Sequence, residues 1–199
     1  MKKNILTFLF FSIFTISNAQ NKLFPQAFFD KKLAEEMLGF GTSTIEGVAS
    51  TKQKNGYGFK APLAKKQYAP KGTVVTLFPL TPYFEEFLKL RRQKENKKNT
   101  VHISEEAFKY RVEKTTDEYG RFSFIKMKPG KYYIESIVNF TAKGSYRQQT
   151  GTINTYNSGG YVLASTPHYE TFIYNYDAAN RESKIVEIKS DGEILEIKL

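Results

Sequence analysis

Apolar positions along this chain follow three rhythms, and each predicts a different kind of element. The first is unbroken. Ile5-Leu6-Thr7-Phe8-Leu9-Phe10-Phe11-Ser12-Ile13-Phe14-Thr15-Ile16 carries no charge and follows Lys2 and Lys3. A positive start, an apolar stretch of about a dozen residues, and small residues at Ser17 and Ala19 together read as a cleavable secretory signal. The cut is expected between Ala19 and Gln20, at a junction that resembles those of exported Bacteroidetes proteins. The run is too short for a bilayer span, which takes about 20 apolar residues. No later segment offers one.

The second rhythm is helical. Phe29, Leu33 and Met37 recur at every fourth position, and Gly39 stands where a C-terminal cap belongs. The spacing predicts a short helix over 26–38. A second helix is predicted from Pro82 to about Lys94. Thr81 is a good N-cap and Pro82 fits the first helical position. Tyr83, Phe84, Phe87 and Leu88 make one apolar stripe. Glu85 and Glu86 sit near the positive end of the helix dipole, Arg91, Arg92 and Lys94 near the negative end.

From Thr42 the period falls to two. Strands are predicted over 43–50, 73–78, 108–116 and 121–127, with a loop over 51–71. In the strand after them Tyr132, Ile134, Ser136, Val138 and Phe140 share one side. Further strands are predicted over 146–156, 161–165 and 170–176, with a turn at Ser158-Gly159-Gly160. The chain then closes on a predicted hairpin, 184–189 and 193–199, turned through Ser190-Asp191-Gly192. Leu195, Ile197 and Leu199 face inward in it. Eight or nine short strands with turns between them predict an antiparallel sandwich.

Composition narrows the setting. The 199 residues include no cysteine, which excludes a disulfide framework, thiolate metal sites and a lipid-modified terminus. About 180 residues follow the signal, within the usual size of one domain. The expected division is 1–19 signal, 20–41 helical lead-in and 42–199 sandwich, with an insertion at 80–107. Formal charge is +10, and losing Lys2 and Lys3 leaves about +8. Export argues against a nucleic-acid partner. Lipopolysaccharide phosphates, acidic glycans or an acidic protein face suit the charge better, and a solvated, soluble surface is its plainest meaning.

Two surfaces are candidates for binding. Lys52, Lys54, Lys60, Lys65, Lys66 and Lys71 occur with no acidic residue between Glu46 and Glu85. Lys65, Lys66 and Lys71, with Arg91 and Arg92 of the helix, form a candidate anion-binding face. The other candidate is aromatic: Phe172, Tyr174 and Tyr176 alternate along one strand, near Tyr156, Tyr161 and Tyr169. Burial as sandwich core is the expectation for this ladder. Exposed, it would stack on sugars or on a protein partner.

The stretch Thr116-Asp117-Glu118-Tyr119-Gly120-Arg121-Phe122-Ser123-Phe124, followed by Lys128-Pro129-Gly130-Lys131-Tyr132-Tyr133-Ile134, resembles the core signature of carboxypeptidase regulatory-like domains. The resemblance spans roughly residues 43–141, with Glu46-Gly47-Val48 and Val74-Val75-Thr76-Leu77 in the places of the first two strands. It implies a mainly β, antiparallel, seven-stranded prealbumin-like (transthyretin-like) sandwich, here with an inserted helix and a C-terminal hairpin. In that reading Gly120 supplies a positive φ, and Phe122 and Phe124 fill the core. The insertion and the tyrosine-rich C-terminal third depart from the minimal pattern.

Catalytic chemistry finds little footing. His102 and His168 lie far apart in sequence and neither carries a metal-ligand spacing. No nucleophile elbow and no glycine-rich phosphate loop is present. Enzymes of related fold end in Tyr-Arg-Gly-Ser or pair nearby histidines on iron, and neither pattern occurs. A Lys–Asn isopeptide crosslink stays open, because both residues are abundant. The expectation is a non-enzymatic, cofactor-free envelope module, periplasmic rather than secreted, that contacts a protein through its helical insertion. A carbohydrate-binding module is the alternative, and an enzyme of unknown type ranks last.

Overall fold

The computed structural model describes residues 20–55, 58–60 and 62–199. The expected signal segment, with Ala19, lies outside the described residues. The chain is mainly β. In order it forms β1 (Asn21–Leu23), α1 (Lys31–Met37), β2 (Ser43–Val48), β3 (Ser50–Thr51), β4 (Gln67–Tyr68), β5 (Val74–Pro79) and α2 (Pro82–Lys94). β6 (Asn99–Val101), α3 (Glu105–Lys109), β7 (Val112–Thr115), β8 (Arg121–Met127), β9 (Gly130–Tyr156), β10 (Val162–Ile188) and β11 (Ile194–Lys198) follow.

Two sheets carry the fold. One has the order β10-β9-β5-β7 and the other β11-β2-β8. Ile45, Phe122, Phe124 and Ile197 of the second meet Val75, Leu77, Ile134, Val138 and Ile188 of the first in one buried cluster. The alternation along β9 is as expected: Tyr132, Ile134, Ser136, Val138 and Phe140 are all buried. Phe122 and Phe124 fill the same core, and Gly120 takes a φ of +73° in the turn before them.

The four-stranded sheet is covered on its outer face too. Thr81 caps α2 by accepting from Phe84 N, and Pro82 opens the helix. Phe84 and Phe87 of that helix pack on Phe78 of β5 and Tyr133 of β9. This double burial explains why Leu77, Phe78 and Pro79 are buried in succession. It also corrects one expectation: the apolar stripe of the inserted helix is buried against the sheet rather than offered to a partner.

Other elements depart from the sequence reading for local reasons. α1 begins only at Lys31, where Asp30 Oδ1 accepts from Leu33 N. Phe29 instead packs on Tyr83 and Tyr110. The lead-in is tied down, since β1 pairs in parallel with β6. Phe108 falls in α3 rather than in a strand, because Ser104 caps a helical turn there.

The terminal hairpin does not form. Ser190 to Gly192 do turn the chain, with Gly192 at a φ of +76° and Glu193 Oε2 accepting from Lys189 N and Ser190 N. The turn carries the chain across to the other sheet, where β11 pairs with β2 in parallel. The sandwich is therefore not antiparallel throughout. Crossing over buries Ile197 and Leu199 opposite Val186 and Ile188, which already line the core from β10.

Candidate functional site

β9 and β10 are each 27 residues long and pair antiparallel over their length. The facing strands β2, β8 and β11 have only 5 to 7 residues. The sandwich therefore ends long before the ribbon does. Its end is marked by two glutamines that close the edge of β9. Gln67 exchanges hydrogen bonds with the backbone of Thr141, and Gln53 with that of Lys143. From Ser145 through the tip to Asp177 every residue is exposed. At the usual rise per residue this projection extends about 40 Å.

The ribbon keeps its two-sided character after leaving the body. Side chains alternate along each strand, so the face that buries Phe140 and Ala142 continues as Gly144, Tyr146 and Gln148. Their cross-strand partners are Tyr174, Phe172 and Glu170. The inner face thus carries an uncovered aromatic ladder. Tyr146 is 50% exposed, Phe172 37%, Tyr174 49% and Tyr176 44%. Phe172, Tyr174 and Tyr176 were expected in the core, and the short opposing strands leave them outside it.

Ring geometry limits what the ladder offers. Tyr146 and Phe172 lie 5.5 Å apart at 21°, Tyr146 and Tyr174 6.1 Å apart, and Tyr174 and Tyr176 5.9 Å apart. Only the Tyr146–Phe172 pair is near-parallel; the other two are tilted at 47° and 39°, so the rings do not form one flat platform. The opposite face is more polar, and Arg147 there covers Tyr169. The tip turns on Asn157, whose Oδ1 accepts from Gly159 N and Tyr161 N. Tyr156, Tyr161 and Leu163 surround it, all exposed.

One sequence signal for this region is compositional. Between Gln148 and Tyr169 there is no Asp, Glu, Lys or Arg, in a chain where a quarter of the residues are charged. The three short strands predicted there are two continuous ones. Small register shifts at His168/Tyr169 and Val162/Ala164 interrupt the alternation and hide that continuity.

Of the basic candidates, Lys66 borders a small cleft with Lys52 and Lys60, while the Arg91–Arg92 pair borders a different one with Lys184. Lys71 is paired with Glu118 at 3.1 Å. Arg91 is held by Glu135 at 3.1 Å and by the Tyr133 hydroxyl. Burial, aided by the adjacent Glu135, pushes the Tyr133 hydroxyl above its ordinary pKa. Lys65 and Arg92 are exposed.

A cleft of about 960 Å³ crosses the three-stranded sheet, where Glu46, Ser123 and Glu196 stand in one cross-strand row. A pocket of about 390 Å³ under the insertion is lined by Phe87, Phe108, His102, Glu95, Glu135 and Arg181. Arg181 neutralises Glu95 there at 3.4 Å. His168 lies on the ribbon, remote in sequence and fold from His102. Among the described residues no group of three His, Asp or Glu is placed to hold a metal ion. No helix among them is long and apolar enough to cross a membrane.

No protein-family model matches the sequence, and no curated protein matches it. Among solved structures the fold is similar to a "putative carbohydrate binding protein" from Pseudomonas aeruginosa. The TM-score is 0.53 at 18% sequence identity, covering 88% of this chain and 98% of that one. At that identity the likeness is one of fold.

Proposed function

We propose that this chain is an exported, non-enzymatic module of the cell envelope, periplasmic rather than secreted, that binds a partner through its projecting ribbon. One observation carries the reading: the inner face of β9–β10 stays aromatic after the opposing sheet has ended. A two-stranded ribbon is marginal in water by itself, and exposed apolar surface of this extent marks a contact site. The scaffold is read as a carboxypeptidase regulatory-like, prealbumin-like sandwich. Its four- and three-stranded sheets, the turn at Gly120, and Phe122 and Phe124 in the core all support that assignment.

A second reading makes the module a carbohydrate binder. The exposed tyrosines favour it, since sugar rings stack on aromatic faces. So does the description of the Pseudomonas aeruginosa protein that shares the fold. The uncharged stretch from Gln148 to Tyr169 would suit a neutral glycan better than an acidic one.

The test is to incubate residues 20–199 with solubilised envelope across a salt series, beside a variant carrying Tyr146→Ser, Phe172→Ser and Tyr174→Ser. The expected result is a protein retained by the wild type at high salt and lost by the variant. Glycan retained by the wild type and lost by the variant would establish the second reading. Retention that the three substitutions leave untouched would remove the ribbon as the contact surface.

A further inference from the structure

The ribbon's occupant can be named, on the reading that the ribbon is a contact surface: we propose that it is a second copy of this chain. Two ribbons pack with their inner faces together about a two-fold axis, and their bodies lie at opposite ends.

Four observations lead there. The inner face is the core face of a sandwich that lacks its second sheet, and an identical ribbon supplies one at the ordinary sheet spacing of about 10 Å. A two-fold contact is self-complementary, so each ladder meets its own copy. Phe172 stacked on Tyr146 at 21° and Tyr174 tilted from it at 47° offer edges and gaps rather than a flat platform. That geometry interdigitates with another row of side chains better than it stacks on a planar sugar.

Charge points the same way. The segment 143–177 holds Lys143, Arg147, Glu170 and Asp177 and is neutral overall, so the body carries the whole positive excess. Glu170 is the one charged side chain of the segment on the inner face, with His168 Nε2 3.8 Å from it. Beyond it, from Gln148 to Tyr169, the ribbon carries no Asp, Glu, Lys or Arg to repel its own copy or to attract an anionic surface. Natural sheets use charged side chains to prevent such self-pairing. In the antiparallel arrangement the two bodies sit tens of ångströms apart, beyond a Debye length of about 8 Å. Two strands at a spacing of about 4.8 Å over about 40 Å give a flat footprint on the order of 400 Å². That is below the roughly 600–1,000 Å² that each partner gives to a stable interface, so the expected dimer is weak and reversible.

The experiment uses residues 20–199 and two readouts. Sedimentation from 1 to 100 μM is expected to show a reversible monomer–dimer equilibrium with an elongated dimer. The Tyr146→Ser, Phe172→Ser, Tyr174→Ser variant is expected to stay monomeric. Because the chain has no cysteine, single replacements report the face. Gln148→Cys on the inner face is expected to cross-link with a short bismaleimide at least tenfold faster than Thr171→Cys on the outer face. A wild type that is monomeric at 100 μM, a dimer that survives the triple substitution, or faster cross-linking at Thr171→Cys would each overturn the proposal. A monomeric wild type whose envelope retention still depends on the three aromatics would remove the second copy and leave the ribbon as contact surface. A monomeric wild type whose retention does not depend on them would remove both.

Discussion

The Tyr174 ring lies across Gly144, its cross-strand partner, so that a β-carbon at position 144 would stand 2.5 Å from Tyr174 Cζ. Gly144 is what lets the aromatic ladder lie down on the strand. Gly144→Ala should swing the ring off the ribbon and break the ladder between Tyr146 and Tyr176. Gly144 is half-buried and the Tyr174 ring that would move is 49% exposed, so folding stability should fall by less than about 1 kcal/mol. Self-association should weaken tenfold or more. Urea denaturation and sedimentation of the same variant separate the two effects.

Tyr132 is fully buried, and its hydroxyl reaches the carbonyls of Met37 at 2.8 Å and Lys128 at 2.9 Å. It ties α1 and the turn before β9 to the core. Burial pushes its pKa from 10.0 up to about 12. The folded state therefore holds the proton longer than the unfolded chain. The resulting stability is fully present below pH 10 and declines progressively as pH rises toward 12. Tyr132→Phe should cost about 1 kcal/mol at pH 7 and flatten that alkaline decline, as read from guanidinium midpoints against pH.

Glu86 clamps the lead-in. Its carboxylate accepts from Gln26 N at 3.1 Å and from Ala27 N at 2.7 Å. These backbone hydrogen bonds, that from Gln26 first, hold its pKa below the ordinary 4.5. A depressed carboxyl stabilises the fold above its unfolded pKa and stops doing so as pH falls through the lower folded value. The protection of the Gln26 and Ala27 amides, relative to their intrinsic exchange rates, should fall below pH 4.5 in the wild type. In Glu86→Gln it should already be lower at pH 7 and should lack that acid step.

A buried polar knot joins the base of the ribbon to β3. Glu182 accepts from Thr51 Oγ at 2.7 Å and from Lys60 Nζ at 3.0 Å, and Asn180 donates to the same Thr51 hydroxyl at 2.8 Å. The Glu182 side chain is only 9% exposed, whereas that of Lys60 is 51%. Glu182→Ala should destabilise by about 1–3 kcal/mol, because Thr51 is left buried without its acceptor. Lys60→Ala should cost less than about 1 kcal/mol, as for a solvent-screened pair. Urea midpoints at constant slope check both.

The parts of the fold that the sequence states are those whose signals act locally. Thr81 and Pro82 start α2 whatever packs on it, and the terminal charges agree with its dipole. Gly120 and the Phe122–Phe124 pair place β8 with the same economy, within a few residues. Ser104 shows how a local signal is lost when a stronger pattern runs over it, since the apolar positions after it mask a single capped turn. Asp191-Gly192 shows the opposite failure. It names a turn correctly and leaves open which strand the chain meets next.

By itself, then, the sequence determined the capped helix α2, the alternation along β8 and the body of β9, and Phe122 and Phe124 as core, because alternation and caps depend on neighbours within a few residues. It also placed Phe172, Tyr174 and Tyr176 on one face. Only the tertiary structure decided what covers that face. The answer depends on the length of β9 and β10 against that of β2, β8 and β11, a comparison between segments far apart in the chain. Where the short strands stop, an inward-facing side chain of the same kind changes from core to contact surface.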